Sequence, residues 1–196
     1  MNFHTIYKNH SKKQLFPDER LQDLKSNKIF TAALHQNGSV SIIDANGETK
    51  NYFAENNSPI VQMSIGSFAH LLLLTQDQRV YSYFTNNSSF QGGNENKKTL
   101  SNGLYEIESL RNKKITQVLA TQISSYCLSE DQDKSLYWWG YHPLRTSTGR
   151  PQIIAKNVDR IFGGCSWHMF FTKTDGSLYG DGYNTSSQVS PIPFQF

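Results

Sequence analysis

Met63-Ser-Ile-Gly66, then His70, Leu71 to Leu74, Asp77 and Val80-Tyr81-Ser-Tyr83: the fold turns on this stretch, because the chain repeats it as Ile161-Phe-Gly-Gly164, His168, Met169 to Phe171, Asp175-Gly176 and Leu178-Tyr179. In both copies Gly to His is four residues, His to Asp is seven, and His to the aliphatic residue before Tyr is ten. Each copy is a glycine turn followed by two strand-like segments around a tight connection. Such a pair of apolar runs joined by Asp-Gly or its relatives is a hairpin signal.

Working outward, both copies open on a short apolar phrase that occurs four times: Leu21-Gln-Asp-Leu24, Ile60-Val-Gln-Met63, Ile115-Thr-Gln-Val118 and Val158-Asp-Arg-Ile161, with starts 39, 55 and 43 residues apart. A period near forty marks stacked supersecondary units, none of which can bury its apolar face alone. Unit three is worn: Val118-Leu-Ala-Thr121, Ser124 or Ser125 in place of His, Cys127-Leu128, a turn over 130–134 with two extra residues, and Leu136-Tyr137-Trp138-Trp139-Gly140. Unit one keeps Ala33-Leu34, the hairpin signal Asn37-Gly38, and Val40. Polar tails follow in unit two (Asn87-Ser-Ser-Phe-Gln91-Gly92-Gly93) and unit four (Asn184-Thr-Ser-Ser-Gln188). A similar tail, Ile6-Tyr7-Lys8-Asn9 through Gln14-Leu15, stands at the N-terminus without a hairpin before it.

The expected organisation is all-β: one domain over 1–196, a β-propeller-like array of about four blades with units at about 21–59, 60–114, 115–157 and 158–196, and an orphan half-repeat over 1–20. Ten Tyr, twelve Phe and three Trp suit strands better than a helical bundle. Periodicity alone leaves sandwich, barrel and propeller open.

The same residues resemble the regulator of chromosome condensation repeat family. Its repeat has an apolar start, Gly, His, alternating aliphatics, Asp-Gly, an aliphatic-Tyr pair, Trp-Gly and an Asn…Gly-Gln-Leu-Gly tail. Here Trp-Gly survives as Trp139-Gly140 and the tail as Phe90-Gln91-Gly92-Gly93. The resemblance implies blades of a propeller that usually closes with seven, more than this chain supplies. A small closed ring, an open arc covered by a partner or a second copy, and a fragment of a longer ancestor are all compatible with the sequence. In an open arc the end blades present unpaired edges, which proteins normally cover. Residues 3–8 are expected to add a strand to the last blade or to a neighbouring chain.

Chemistry is sparse. His70 and His168 occupy equivalent repeat positions where unit three has Ser, which points to a structural role such as donation to a backbone carbonyl of their own blade. Asp77, Asp133 and Asp175 are hairpin positions where Asp bonds its local backbone. No Gly-x-Ser-x-Gly elbow and no phosphate-cradling loop with its Lys occurs. Cys127 and Cys165 lack metal spacing and read as free thiols. No catalytic, cofactor-binding or metal-binding residue is assigned, and no cofactor is expected. Of Trp138, Trp139 and Tyr141, alternation should send one Trp toward the core and its neighbour outward; inter-blade packing is the first reading of that neighbour and an interface anchor the second. The segment from Asn94 to Lys114, about a dozen residues longer than its counterparts, reads as a charged surface loop with partner contact as the alternative.

A net charge of +3 with scattered Lys and Arg lacks the footprint of a dedicated nucleic-acid binder. The first twenty residues hold no apolar signal core, and Leu71 to Leu74 is too short to cross a bilayer. An intracellular protein, cytoplasmic or nuclear, is expected, with a protein partner and no membrane. The first function class is a non-catalytic interaction module, with self-association through open blade edges as a further option. The second, implied by the resemblance, is a guanine-nucleotide exchange factor for a small GTPase. The third is a chromatin or DNA binder.

Overall fold

A computed structural model describes residues 20–53, 58–95, 103–163 and 166–183, together with the backbone of 5–8 and 11–14. The architecture is all-β, four antiparallel meanders in chain order. The N-terminal hairpin comprises β1 (Thr5–Lys8) and β2 (Ser11–Gln14). Blade 1 holds β3 (Leu21–Ser26), β4 (Phe30–His35), β5 (Val40–Asp44) and β6 (Thr49–Tyr52). Blade 2 holds β7 (Ile60–Ile65), β8 (His70–Thr75), β9 (Val80–Phe84) and β10 (Tyr105–Glu106). Blade 3 holds β11 (Ile115–Ala120), β12 (Ser124–Ser129), β13 (Leu136–His142) and β14 (Arg145–Ala155). Among the described residues blade 4 has three strands, β15 (Val158–Gly163), β16 (His168–Lys173) and β17 (Leu178–Gly182).

The four-times repeated phrase forms the first strand of every blade, and these strands face one another along the array. In all four the register slips at the same place, between Leu21 and Asp23, Ile60 and Gln62, Ile115 and Gln117, and Val158 and Arg160. A β-bulge inserts one unpaired residue and re-aims its neighbours. Its consequence is visible one residue on: Gln62 Oε1 accepts the Val118 N–H (3.0 Å) and Gln117 Oε1 accepts the Ile161 N–H (3.1 Å), each in the next blade. Ser64 Oγ accepts the Ala120 N–H at 2.9 Å, and Asn27 donates to the Gly66 carbonyl at 2.9 Å.

Packing follows from alternation on sheets covered on both faces. Leu71 and Leu73 of β8 enter a core with Phe30, Ile42 and Met63 between blades 1 and 2, while Leu72 and Leu74 enter a second core with Val118 and Cys127 between blades 2 and 3. A third core, with Leu119, Tyr126, Ile161 and Phe171, joins blades 3 and 4. Of the two readings of the adjacent Trp residues, inter-blade packing holds and the outward interface anchor does not. Trp138 lies in the third core and Trp139 in the second, both buried, because blade 3 has a neighbour on each side. Cys127 is a buried free thiol, its pKa pushed well up by burial; Cys165 lies outside the described residues.

Two further expectations are corrected. Thr5–Lys8 pairs with Ser11–Gln14 in a two-stranded sheet of its own, so this part of residues 3–8 does not extend the last blade; the near neighbour in sequence takes its hydrogen bonds. The segment after Asn94 supplies the outer strand β10 of blade 2, followed by a 3₁₀ turn over Glu108–Leu110, and Ile107 and Leu110 are buried in the second core. Its apolar residues, fewer than its charges, decide its placement, whereas Glu108, Lys113 and Lys114 stay on the surface. Lys97, Lys98 and the tail Asn184–Gln188 lie outside the described residues.

Replacing Gln117 with Leu leaves the Ile161 N–H without its acceptor at a junction of two cores. The expected loss is about 1–2 kcal/mol in urea unfolding; a Gln117→Leu midpoint equal to wild type would show that the clasp adds nothing to blade cohesion.

Candidate interaction site

His70 starts β8 and is fully buried, and its pKa is brought down to about 4 by burial, which disfavours the imidazolium. Its ring fills the space beside Gly66, where a Cβ would stand 2.2 Å from Cε1 and 2.4 Å from the Thr121 carbonyl oxygen. The Gly-to-His spacing is therefore a packing interlock. The ring faces the Ser124 backbone of the next blade rather than its own, and neither nitrogen makes a well-formed hydrogen bond. Ser124 itself holds the equivalent position in blade 3, opposite Gly140 as His70 is opposite Phe84. His168 stacks edge-on against Phe170 at 5.5 Å. The two histidines belong to different blades and converge on no common site.

Of the three turn aspartates, Asp175 does bond locally, accepting from the Ser177 N–H (2.9 Å) and Oγ (2.5 Å). Asp77 pairs with Arg79, two residues on, at 3.2 Å, whereas Asp133 pairs with Lys156 at 2.6 Å; in blade 3 it is Asp131 that takes the local bond, from the Asp133 N–H at 3.2 Å. At the αL position of these turns Gln78 (φ +67°) and Lys134 (φ +44°) replace the glycines of the other two blades, Gly38 and Gly176.

The most concentrated polar chemistry lies elsewhere. Asp181 of β17 occupies the place of Trp139 in the repeat, just before a positive-φ glycine (Gly182, φ +121°; Gly140, φ +106°), and so faces blade 3 from inside the interface. A buried carboxylate there needs cationic partners. Arg145 donates to both of its oxygens, Nη1 to Oδ2 at 2.9 Å and Nη2 to Oδ1 at 2.6 Å, and Tyr126 Oη donates to Oδ2 at 3.1 Å. His142 Nε2 lies 3.4 Å from Oδ1, while its Nδ1 accepts the Leu144 N–H at 3.1 Å. Trp138 floors the cluster, with the Arg145 guanidinium 5.4 Å from its ring and His142 edge-on at 5.7 Å. Burial pushes the Asp181 carboxyl up, but the hydrogen bonds from His142 and Arg145 outweigh it and hold the pKa down at about 2.

With Arg145 bidentate and Tyr126 donating as well, this carboxylate is saturated and holds its neighbours in place. It ties the β13–β14 turn, where His142 pairs with Arg145, to blade 4. Three further aromatics meet between blades 3 and 4: Tyr141 lies edge-on to Trp167 at 6.4 Å, and Trp167 against Tyr183 at 5.9 Å. Each is 37–39% exposed. Their backbone is fixed by one repeated bond, Tyr141 N–H to Ile123 O and Tyr183 N–H to Trp167 O, both 3.1 Å, and Ser124 Oγ donates to the Tyr141 carbonyl. Gly182 is required here because a Cβ would stand 2.3 Å from the Trp167 carbonyl oxygen. Leu144, 86% exposed, stands at the tip of the β13–β14 turn, three residues on from Tyr141. Sequence reasoning missed Arg145 and Asp181; the available signal was Gly180-Asp181-Gly182 standing where the repeat has Trp-Gly.

At the opposite end of the blades, beside the Asp77 turn, a polar cleft of about 400 Å³ is lined by Asp77, Gln78, Arg79, Arg111, Asn112 and Lys114. Two of its cations are engaged by the buried Glu106, Arg111 at 2.7 Å and Arg79 at 3.6 Å. Among the described residues no group of three His, Cys, Asp or Glu could hold a metal ion, and no helix is long and apolar enough to cross a membrane.

His70 stays neutral in the fold while its unfolded counterpart takes up a proton below pH 6.5, so stability falls between pH 6.5 and 4 by on the order of 3 kcal/mol. His70→Gln should flatten that segment of a urea-midpoint-against-pH profile. Asp181→Asn removes the charge that Arg145 and Tyr126 bond, and because the Arg145 side chain is partly open to solvent the expected loss is about 1–3 kcal/mol at pH 7; a loss below about 0.5 kcal/mol would show that the cluster is replaceable.

No protein-family model matches the sequence, and no curated protein matches it. Solved structures do. Human WBSCR16 superposes with a TM-score of 0.74 at 14% identity, over 92% of this chain and 54% of that one. Prp20p from Saccharomyces cerevisiae gives 0.66 at 17% identity over 88% and 47%, and yeast RCC1 (Prp20) in its complex with Kap60 gives 0.68 at 18% over 88% and 45%. This chain thus spans about half the length of each. The shared arrangement of blades gives this chain the fold of the regulator of chromosome condensation propellers.

Proposed function

We propose that the chain is a protein-interaction module without covalent chemistry of its own, and that Tyr141, Trp167 and Tyr183, with Leu144 beside them, form its contact surface. The observation that carries this reading is three half-exposed aromatics joined through Trp167 and held by repeated backbone bonds. Rigid aromatic side chains that supply large contact area at little entropic cost are the residues on which interface energy concentrates. Tyr141 stands near the end of β13, and Trp167 and Tyr183 flank β16 and β17 at the same end of the blades, where a repeat scaffold concentrates binding residues.

Nucleotide exchange on a small GTPase is the second reading. It is supported by the fold likeness to Prp20p, whose structure is described together with its binding to Gsp1p and histones. Binding by a propeller face that weakens a GTPase's hold on its nucleotide needs no catalytic side chain, so both readings use a surface of the same kind.

Trp167→Ala removes the central ring from a position that is 39% exposed and outside the cores, so folding should be retained. Quantitative affinity capture with wild type and this variant should show a partner depleted at least tenfold by the substitution at an unchanged thermal midpoint. Equal capture by both proteins would overturn the assignment of this surface. Faster release of labelled GDP from any member of a small-GTPase panel would establish the exchange reading, and unchanged release across the panel would remove it.

A further inference from the structure

The first strands present the same positions to their neighbours but not the same chemistry. In blade 2 the third and fifth residues of that strand reach blade 3: Gln62 accepts the Val118 N–H and Ser64 accepts the Ala120 N–H. In blade 3 the third residue, Gln117, accepts the Ile161 N–H of blade 4. The receiving amides share one geometry. Val118 stands opposite Cys127 and Ile161 opposite Phe171, places in the ladder from which the N–H points away from its own blade and toward the preceding one.

Blade 2 offers blade 1 the same pair of amides. Met63 stands opposite Leu73 as Val118 does opposite Cys127, and Ile65 opposite Leu71 as Ala120 does opposite Ser125, so both N–H groups face blade 1. Blade 1 does not answer them. Its third residue is Asp23 and its fifth is Lys25, and these two pair with each other at 3.3 Å. Asp23 Oδ1 also accepts the Leu24 N–H of its own strand at 2.8 Å, and an ammonium group can only donate. Among the described residues neither the Met63 nor the Ile65 N–H has an acceptor.

Three polar bonds do cross this junction: Asn27 Nδ2 to the Gly66 carbonyl at 2.9 Å, the exposed Gln22 Nε2 to the Val61 carbonyl at 3.4 Å, and the Ile60 N–H to the Gly38 carbonyl at 3.0 Å. The other junctions hold buried bonds besides their clasps. Trp139 and Ser125 of blade 3 both donate to the Gln91 carbonyl of blade 2, and Arg145 and Tyr126 of blade 3 hold Asp181 of blade 4. Each junction has an apolar core, so the difference lies in the polar fastening.

We propose that the array opens at this joint: blade 1 parts from blade 2 as a unit while blades 2, 3 and 4 stay assembled. Where each blade touches only its neighbours, opening at an end breaks a single junction. Blade 4 is the other end, but its release breaks the Gln117 bond and strips the buried Asp181 of Arg145 and Tyr126. Parting of blade 1 bares the side of blade 2 that carries Met63, Leu71 and Leu73. The joint is therefore a conformational switch between a covered and an uncovered apolar face.

Native-state hydrogen exchange of the full chain tests this on the central strands β4, β12 and β16, under conditions where rates report the opening equilibrium. After correction for intrinsic rates, β4 amides should exchange about tenfold faster than those of β12 and β16, as two missing hydrogen bonds imply. Asp23→Gln places an amide oxygen where Gln62 and Gln117 carry theirs, and should slow β4 about fivefold with β12 and β16 unchanged. Asp23→Ala removes the charge without supplying an acceptor and should not slow β4. The Asp23 side chain is exposed, so a far-ultraviolet spectrum unchanged from wild type is the folding control. Equal exchange in β4 and β12, or faster exchange in β16 than in β4, would overturn the proposal. So would an Asp23→Gln variant that slows β4 no more than Asp23→Ala does.

Discussion

Every blade in this chain has two apolar faces, and no blade can bury both by itself. Leu71 to Leu74 shows the constraint in its simplest form: four consecutive leucines on one strand are all buried because alternate members enter cores on opposite sides of the sheet. A half-buried sheet alternates apolar and polar residues, whereas a sheet covered twice reads as a continuous apolar run. Blade 3 obeys the same rule, which is why it can carry Trp138 and Trp139 side by side. Stability is a property of junctions, and any blade whose neighbour is missing exposes a face that evolved to be covered.

The junctions are fastened by a small device repeated with the blades. A bulge in each first strand turns the third residue of the apolar phrase toward the next blade, and where that residue is Gln its carbonyl oxygen takes a backbone amide there. The device is directional, running from blade 2 to 3 and from 3 to 4. At the ends its third position carries Asp23 and Arg160 instead, so the array changes character where neutral hydrogen-bond chemistry gives way to charge.

Functional geometry sits where a blade departs from its repeat. Asp181 replaces the aromatic residue of the Trp-Gly pair, and the buried charge recruits Arg145, Tyr126 and His142 from blade 3. That cluster fixes the turn that carries Tyr141 and Leu144 beside Trp167 and Tyr183. The polar tail of blade 2 works in a similar way. The Gln91 carbonyl accepts from Trp139 Nε1 at 3.0 Å and from Ser125 Oγ at 2.8 Å, while Asn87 and Gln91 close the loop on itself through Gly92 N–H and Asn86 O. These Asn and Gln residues are structural members of the 2–3 junction.

Blade number, the hairpin in each unit, the extra two residues in the third turn and the Gly-to-His spacing were legible in the chain, because each depends on local spacing and on an alternation that adjacent residues reveal. The bulge was not legible, since an unpaired residue has no composition of its own. Nor was the fate of the segment after Asn94, where Ile107 and Leu110 outweigh a larger number of charges once a core is available to receive them. Arg145 and Asp181 are 36 residues apart and meet because two blades are stacked. The sequence by itself determined which residues build a blade; only the tertiary structure decided which faces the blades share and which they leave open, because those are set by contacts across junctions that no single repeat contains.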